Sequence, residues 1–227
     1  LLWRSMLNWF GGIGIIVMAI SVLPMLNVGG MQLFRMESSD TSEKILPRAG
    51  EIAGSILRIY LFMTFACMVC YWIAGMSFFD AITHAMSTIS TAGFSTHDES
   101  FGFFNSTTIN LVAFAFILAS SLPFTSYLFI TTNRLHLFWQ DSQIRMFFII
   151  VTVSIMAMFL FVQPDIGWSH VLLNTVSIIS GTGYTSSDYS QWGSLAIALF
   201  FILTFLGGCA GSATCALKTF RLQVLFL

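Results

Sequence analysis

The chain has 227 residues, 56% of them hydrophobic, 15% aromatic and only 8% charged, with a formal net charge of −1. A soluble domain carries about a quarter charged residues, so this composition excludes an ordinary water-soluble globule and points into lipid. The near-neutral balance and the lack of a basic patch exclude nucleic acid as a partner.

Residues 1–25 are apolar and long enough to cross a bilayer. Small residues at Gly11, Gly12 and Gly14 predict close packing against another helix rather than lipid exposure. Residues 27–34 continue as an amphipathic piece. Residues 35–50 follow as a charged aqueous loop, with Arg35, Glu37, Asp40, Glu43, Lys44 and Arg48. A second span covers 51–74, with Arg58 near enough to its start to snorkel. Residues 78–89 are apolar but too short to cross, which predicts a re-entrant or buried helix. Asp80 at its start is favoured by the helix dipole. A third span runs over 105–131 with a bend at Ser120, Ser121 and Pro123, and 132–145 form a second charged loop carrying Arg134, His136, Asp141 and Arg145. A fourth span covers 147–162 and a second short helix 167–179. A fifth span begins at 192, breaks at 207–214 (Gly-Gly-Cys-Ala-Gly-Ser-Ala-Thr) and resumes near Leu217. The non-Met start and the apolar end at 224–227 lead us to expect a piece of a longer protein.

The segment 87–95 occurs twice at an offset of 90 positions: Ser87 meets Ser177, Ser90 meets Ser180, Gly93 meets Gly183, Phe94 meets Tyr184 and Asp98 meets Asp188. A repeat at fixed spacing defines the structural unit, here helix, re-entrant loop, helix. Lys and Arg occur in 35–58 and 134–145 but not in 75–102 or 163–191. The positive-inside rule therefore puts the charged loops in the cytoplasm and the repeated segments outside; Arg4 alone sits on the opposite side.

Non-helical backbone survives at membrane depth only where it is buried in protein or lines water. A helix that stops mid-membrane at Ser90-Thr91-Ala92-Gly93 leaves carbonyls without helical partners, and a glycine lets them turn to one axis. Carbonyls so arranged replace the hydration shell of a monovalent cation. The absence of hard charged ligands there argues against a tightly held divalent ion. Asp98, Glu99 and Asp188 would concentrate cations at the mouth. The alternative is that both segments are plain Ser/Gly-rich turns.

Gly-Gly-Ile-Gly-Ile-Ile-Val-Met-Ala at 11–19, Ser-Thr-Ala-Gly-Phe-Ser-Thr-His-Asp at 90–98, Gly-Thr-Gly-Tyr at 181–184 and Gly-Gly-Cys-Ala-Gly-Ser at 207–212 with Lys218 following resemble the TrkH family, the potassium-translocating subunits of the Trk/Ktr/HKT superfamily. The resemblance implies an all-α integral membrane protein of helix–pore-loop–helix units, K+-channel-like, here an incomplete set. Residues 1–34 would close the first repeat, 51–132 and 146–227 would be the second and third, and 35–50 and 133–145 cytoplasmic loops between them. It implies a K+ filter at Thr91, Ala92, Gly93, Gly181, Thr182 and Gly183. It also implies an intramembrane gate loop with Gly207, Gly208, Gly211 and Ser212, followed by Lys218. The family often runs glycines where this chain has Thr214-Cys215-Ala216. Lys218, costly in lipid, should face the pore or the cytoplasmic vestibule, or else snorkel from a helix end. Potassium is the implied transported ion, with no organic cofactor. The implied partners are membrane lipid, a second copy in a homodimer and a cytoplasmic nucleotide-binding regulatory subunit of the TrkA kind. The implied location is the bacterial cytoplasmic membrane.

Cys67-Met-Val-Cys70 has metal-like spacing but no second ligand pair nearby, and reads as small helix residues. His84, His97, His136 and His170 share no ligand spacing; His84 aligns with Asn174 and suggests polar packing. No nucleophile-and-base pattern supports an enzyme. The alternative function is a proton- or sodium-coupled secondary transporter with helices broken at the midplane.

Overall fold

The structure, a computed structural model, describes residues 1–22, 49–131, 135–162 and 166–225. The charged residues expected in the first loop, Arg35 to Arg48, and Arg134 in the second lie outside the described residues. Every element is helical: α1 (Leu2–Val22), α2 (Ala49–Ile73), α3 (Phe78–Ile89), α4 (Thr107–Ser120), α5 (Ser126–Thr131), α6 (Leu135–Gln140), α7 (Ser142–Phe161), α8 (Trp168–Ser180), α9 (Ser194–Leu203) and α10 (Thr219–Leu225). Short 3₁₀ turns lie at Ser100–Phe104 and Tyr189–Trp192. The described residues contain no strand, only an isolated bridge between Leu206 and Leu217.

The interior is unlike that of a water-soluble bundle. Ser87, Thr88, Asn174, Thr175, Ser177 and Ser180 are fully buried, while Phe62, Phe65, Ile149, Val153, Met156 and Leu160 are more than half exposed. The last four recur at three- and four-residue steps, which places them on one face of α7. Apolar side chains facing outward around a hydroxyl-rich interior is the arrangement lipid favours, because polar groups must be satisfied within the protein. Among the described residues, two helices, over Ala53–Ile73 and Ser142–Phe161, are long and apolar enough to span by themselves.

The expected third and fifth spans are broken into shorter pieces. α4 stops at Ser120 because Pro123 lacks an N–H and disfavours helical angles at Leu122. Ser120 and Ser121 also turn their hydroxyls back onto Ile117 O, at 3.0 and 2.7 Å. The chain resumes as α5 after this bend. α9 ends at Leu203, earlier than the glycines at 207 and 208, and α10 starts only at Thr219. Among the described residues, the second charged loop is largely helical: α6 covers 135–140, α7 begins at Ser142, and Asp141 caps α7 by accepting from Gln143 N at 2.8 Å.

The small face of α1 does pack closely, but through a single residue. A Cβ on Gly12 would lie 2.9 Å from Tyr60 Oη and 3.0 Å from Ser90 Cβ, whereas Gly11 and Gly14 meet nothing within 4 Å. Tyr60 Oη donates to Trp9 O at 3.0 Å, and Trp9 Nε1 donates to Thr64 Oγ1 at 3.0 Å, so α1 and α2 are fastened beside the end of α3. Gly12→Val should therefore push α1 off Ser90, on the order of 1–3 kcal/mol of overpacking. The expected result is a lower thermal midpoint for the full-length protein in detergent; an unchanged midpoint would count against this contact.

Candidate ion pathway

The two short helices end almost where their apolar runs end, and each hands over to a residue in the left-handed region. After α3 and its cap Ser90, Thr91 takes φ +51°; after α8, Gly181 takes φ +70°. These positions are equivalent at the 90-residue offset. Glycine accepts such a conformation freely, whereas a β-branched residue there costs roughly 1–3 kcal/mol. Gly93 and Gly183 follow at φ +76° and +85°.

The structure brings the two glycine-centred segments together. A Cβ on Gly93 would stand only 1.7 Å from Thr182 O and 3.4 Å from Gly183 C. Thr91 N donates to Thr88 O at 3.1 Å, Ala92 N to Ser87 O at 2.8 Å and Gly183 N to Ser177 O at 3.3 Å. Amides are thus spent on the helix ends, and the carbonyls are left over. Among the described residues, the carbonyls of Thr91, Ala92, Gly93, Thr182 and Gly183 receive no protein donor, while Gly181 O lies 3.7 Å from Cys215 Sγ.

Each segment is held at its outer end by the start of its own short helix. Ser77 caps α3, accepting from Asp80 N at 3.1 Å and donating to Asp80 Oδ2 at 2.7 Å. Asp80 Oδ1 accepts from Thr96 Oγ1 at 2.6 Å. In the second copy, His170 Nδ1 and Ser186 Oγ pair at 2.9 Å, and 170 and 186 are the offset partners of 80 and 96. His84 and Asn174 form the next rung. His84 Nδ1 faces Asp80 O at 2.8 Å, so it donates, leaving Nε2 to accept from Ser95 Oγ at 2.9 Å in the neutral ring. Asn174 Oδ1 accepts from Ser186 N at 2.9 Å, and its Nδ2 donates to Ser187 O at 3.3 Å. The expected polar packing of His84 is this clamp. The dipole reading of Asp80 captured its place on the helix but not its grip on the strand.

Aromatic residues after the glycines reach sideways to the preceding unit. The Arg4 guanidinium lies 3.9 Å from the Phe94 ring centroid. Tyr184 Oη donates to His84 O at 3.3 Å and packs on Phe101 at 4.3 Å between centroids. Outside these, a cavity of about 620 Å³ is lined by Glu99, Thr185, Asp188 and Ser190 among others. Ser190 donates to Asp188 from both hydroxyl and amide, holding that carboxyl below the usual carboxylate range and hence negative at this cavity.

Below the segments lies the 204–218 break. Cys209 N donates to Ser121 O at 2.9 Å, Phe124 N to Gly211 O at 3.1 Å and Ala213 N to Ser120 O at 3.4 Å. The break after α9 therefore docks on the bend after α4, and Ser121 and Gly211 stand at the same offset of 90. Ala210 N donates to Gln143 Oε1 of α7 at 3.2 Å, and Thr219 Oγ1 to Gly207 O at 3.3 Å. No side chain fits at two of the glycines: a Cβ on Gly207 would meet Cys215 O at 2.3 Å, and one on Gly208 would meet Ser121 O at 2.7 Å. Ser212 Oγ bonds Cys209 O at 2.6 Å. Lys218 Nζ donates to Thr214 O, to Thr214 Oγ1 at 3.1 Å and to Ser212 O at 3.5 Å. The ammonium thus pins the loop's own carbonyls rather than snorkelling.

The family model of TrkH, described as a cation transport protein, matches residues 1–166. The chain is 41% identical to the potassium uptake protein TrkI of Halomonas elongata, over 100% of this chain and 47% of that protein. It is 39% identical to TrkH of Vibrio parahaemolyticus, over 100% and 49%. The chain belongs to the TrkH family. The crystal structure of the potassium transporter TrkH from V. parahaemolyticus superposes with a TM-score of 0.84 at 36% identity, covering 100% of this chain and 47% of that one. The chain therefore spans about half the length of the TrkH-family relatives it matches, and it is an all-helical membrane protein with pore-loop units.

The geometry makes two predictions. Gly93→Ala places a methyl group against Thr182 O at a left-handed position, costing several kcal/mol, at least about 2. Thermal melts of the full-length variant in detergent should drop sharply. Burial works against ionisation of Asp80, but the hydrogen bonds from Thr96 and Ser77 and the nearby His97 outweigh it and hold its carboxyl below the ordinary value. Its contribution to stability is then complete above the unfolded aspartate pKa of about 3.9 and is lost as pH falls through the lower folded value. Thermal midpoints measured down through that window should fall more steeply for the wild type than for Asp80→Asn.

Proposed function

We propose that the full-length protein takes up potassium across the bacterial cytoplasmic membrane, and that Thr91, Ala92, Gly93, Gly181, Thr182 and Gly183 supply part of its selectivity filter. The observation that carries this reading is the cluster of carbonyls without protein donors, gathered where Gly93 meets Thr182. Thr91 and Thr182 are buried, Ala92 and Gly93 half-buried and Gly183 exposed, so these oxygens border open space rather than packed protein. A group of unpaired ones between two fastened segments suits a dehydrated monovalent cation, which needs oxygen dipoles and no fixed charge. The relatives' printed names, potassium uptake proteins, support potassium as the ion.

Residues 51–132 and 146–227 serve as the second and third of four units around one pore, and residues 1–34 close the first. The 204–218 segment is the intramembrane gate, carrying Gly207, Gly208, Gly211, Ser212 and Lys218, since it docks directly beneath the filter residues. Asp98, Glu99 and Asp188 draw cations to the mouth. Family membership supports a homodimer working with a cytoplasmic nucleotide-binding subunit of the TrkA kind.

The test is Gly93→Asp in the full-length protein, expressed in a strain lacking other potassium uptake. A carboxylate among the carbonyls would bind the ion too tightly and clash with Thr182. Growth on limiting potassium should be lost further than in Gly93→Ala, which carries the same Cβ clash, when the two are compared at equal abundance in the membrane. Growth equal to wild type removes the filter assignment.

A further inference from the structure

The two left-handed positions that begin the proposed filter segments differ in residue type, Thr91 in one copy and Gly181 in the other. The difference is explained by the loop beneath them. A Cβ on Gly181 would stand 2.0 Å from Cys215 Sγ, so the loop occupies the space a side chain would need. At Thr91 the space is free, and the side chain uses it: Thr91 Oγ1 lies 2.8 Å from Ser90 O and 2.9 Å from Ala213 O, across 122 positions of sequence. A hydroxyl has one proton to give, and Ser90 O is available at any loop position because it is the preceding residue. Ala213 O is available only while the loop is docked.

We infer that Thr91 is a positioning residue that latches the gate loop to the filter, its hydroxyl on Ala213 O setting how readily the loop leaves the pathway. This rests on the filter-and-gate reading above. The loop is also anchored away from the filter: Cys209, Gly211 and Ala213 bond the bend at 120–124, Thr219 bonds Gly207 and Gly208, and Lys218 holds Thr214. The tip at 213–215 meets the filter segments through Thr91 and through weak contacts of Cys215 Sγ with Gly181 O at 3.7 Å and Ser180 O at 4.0 Å. Thr91 is nearly buried at 7% exposure, so water competes poorly for its hydroxyl. It is also a β-branched residue at φ +51°, a conformation that persists where its surroundings hold it. The docked loop is one such support, so loop departure and filter stiffness are linked through one residue.

Three variants of the full-length protein in membranes separate the contributions. Thr91→Val keeps the branched shape and loses the donor, Thr91→Gly accepts the backbone angle and loses the donor, and Thr91→Ser keeps the donor. The readout is the rate at which a small water-soluble methanethiosulfonate modifies Cys209, which is buried while the loop is docked, followed by fragment mass spectrometry that separates it from the exposed Cys215. Potassium-over-sodium flux ratios are measured in parallel. Modification should quicken about fivefold in Thr91→Val and Thr91→Gly, the population shift expected from losing one hydrogen bond, and by less than about twofold in Thr91→Ser. The flux ratio should fall further in Thr91→Val than in Thr91→Gly. Equal modification rates in Thr91→Gly and Thr91→Ser overturn the latch, and this pair decides the matter even if Thr91→Val does not accumulate. Failure of the filter reading has a different signature, continued growth of Gly93→Asp, and leaves the Cys209 rates interpretable as a contact test.

Discussion

Interrupting a helix inside a membrane exposes peptide groups that lipid cannot solvate, and the whole arrangement follows from how those groups are satisfied. Among the described residues, four such breaks stand out: after α3, after α4, after α8 and after α9. The breaks after α4 and α9 are paired with each other, Ser121 O with Cys209 N and Gly211 O with Phe124 N. The breaks after α3 and α8 turn their amides back to the helix ends and keep their carbonyls free. The polar backbone is therefore divided into a part that closes on itself and a part left open. The open part converges where Gly93 meets Thr182 O, too close for a side chain on Gly93.

Holding the open part in place is the work of residues with ordinary hydrogen-bonding chemistry. Asp80 with Thr96, and His170 with Ser186, fasten each strand to the start of its own short helix with different residue pairs at equivalent positions. A carboxylate serves in one copy and an imidazole in the other, because the position asks only for a partner to a strand hydroxyl. The aromatic residues act between units instead. Phe94 meets Arg4 of α1, and Tyr184 reaches α3, so each strand leans on the unit before it in the chain. A strand held both lengthwise and sideways has little freedom to collapse onto its own carbonyls, which is what a site for a bare ion requires.

The loop beneath is built on a different principle. Its glycines at 207 and 208 permit contacts too close for any side chain, and Lys218 gathers the carbonyls of Ser212 and Thr214. The departure from consecutive glycines at 214–216 has a structural use. Thr214 Oγ1 accepts from Gly208 N at 3.1 Å, and Cys215 fills the space under Gly181. The loop is folded on itself, with Thr214 bonded to Gly208, Ser212 and Lys218.

The sequence alone determined the helical membrane class, the repeat at 90 positions and the short helices, expected at 78–89 and 167–179 and observed at Phe78–Ile89 and Trp168–Ser180. These are legible because apolar run length and hydroxyl clustering are local properties set by the solvent each segment meets. Only the tertiary structure decided that the bend at Ser121 receives the loop at Gly211, that Asp80 and His170 are equivalent clamps, and that Thr91 reaches Ala213. Those facts join residues far apart in the chain through single hydrogen bonds, and a serine or threonine that bonds across 122 positions looks, in sequence, like one that bonds its own helix.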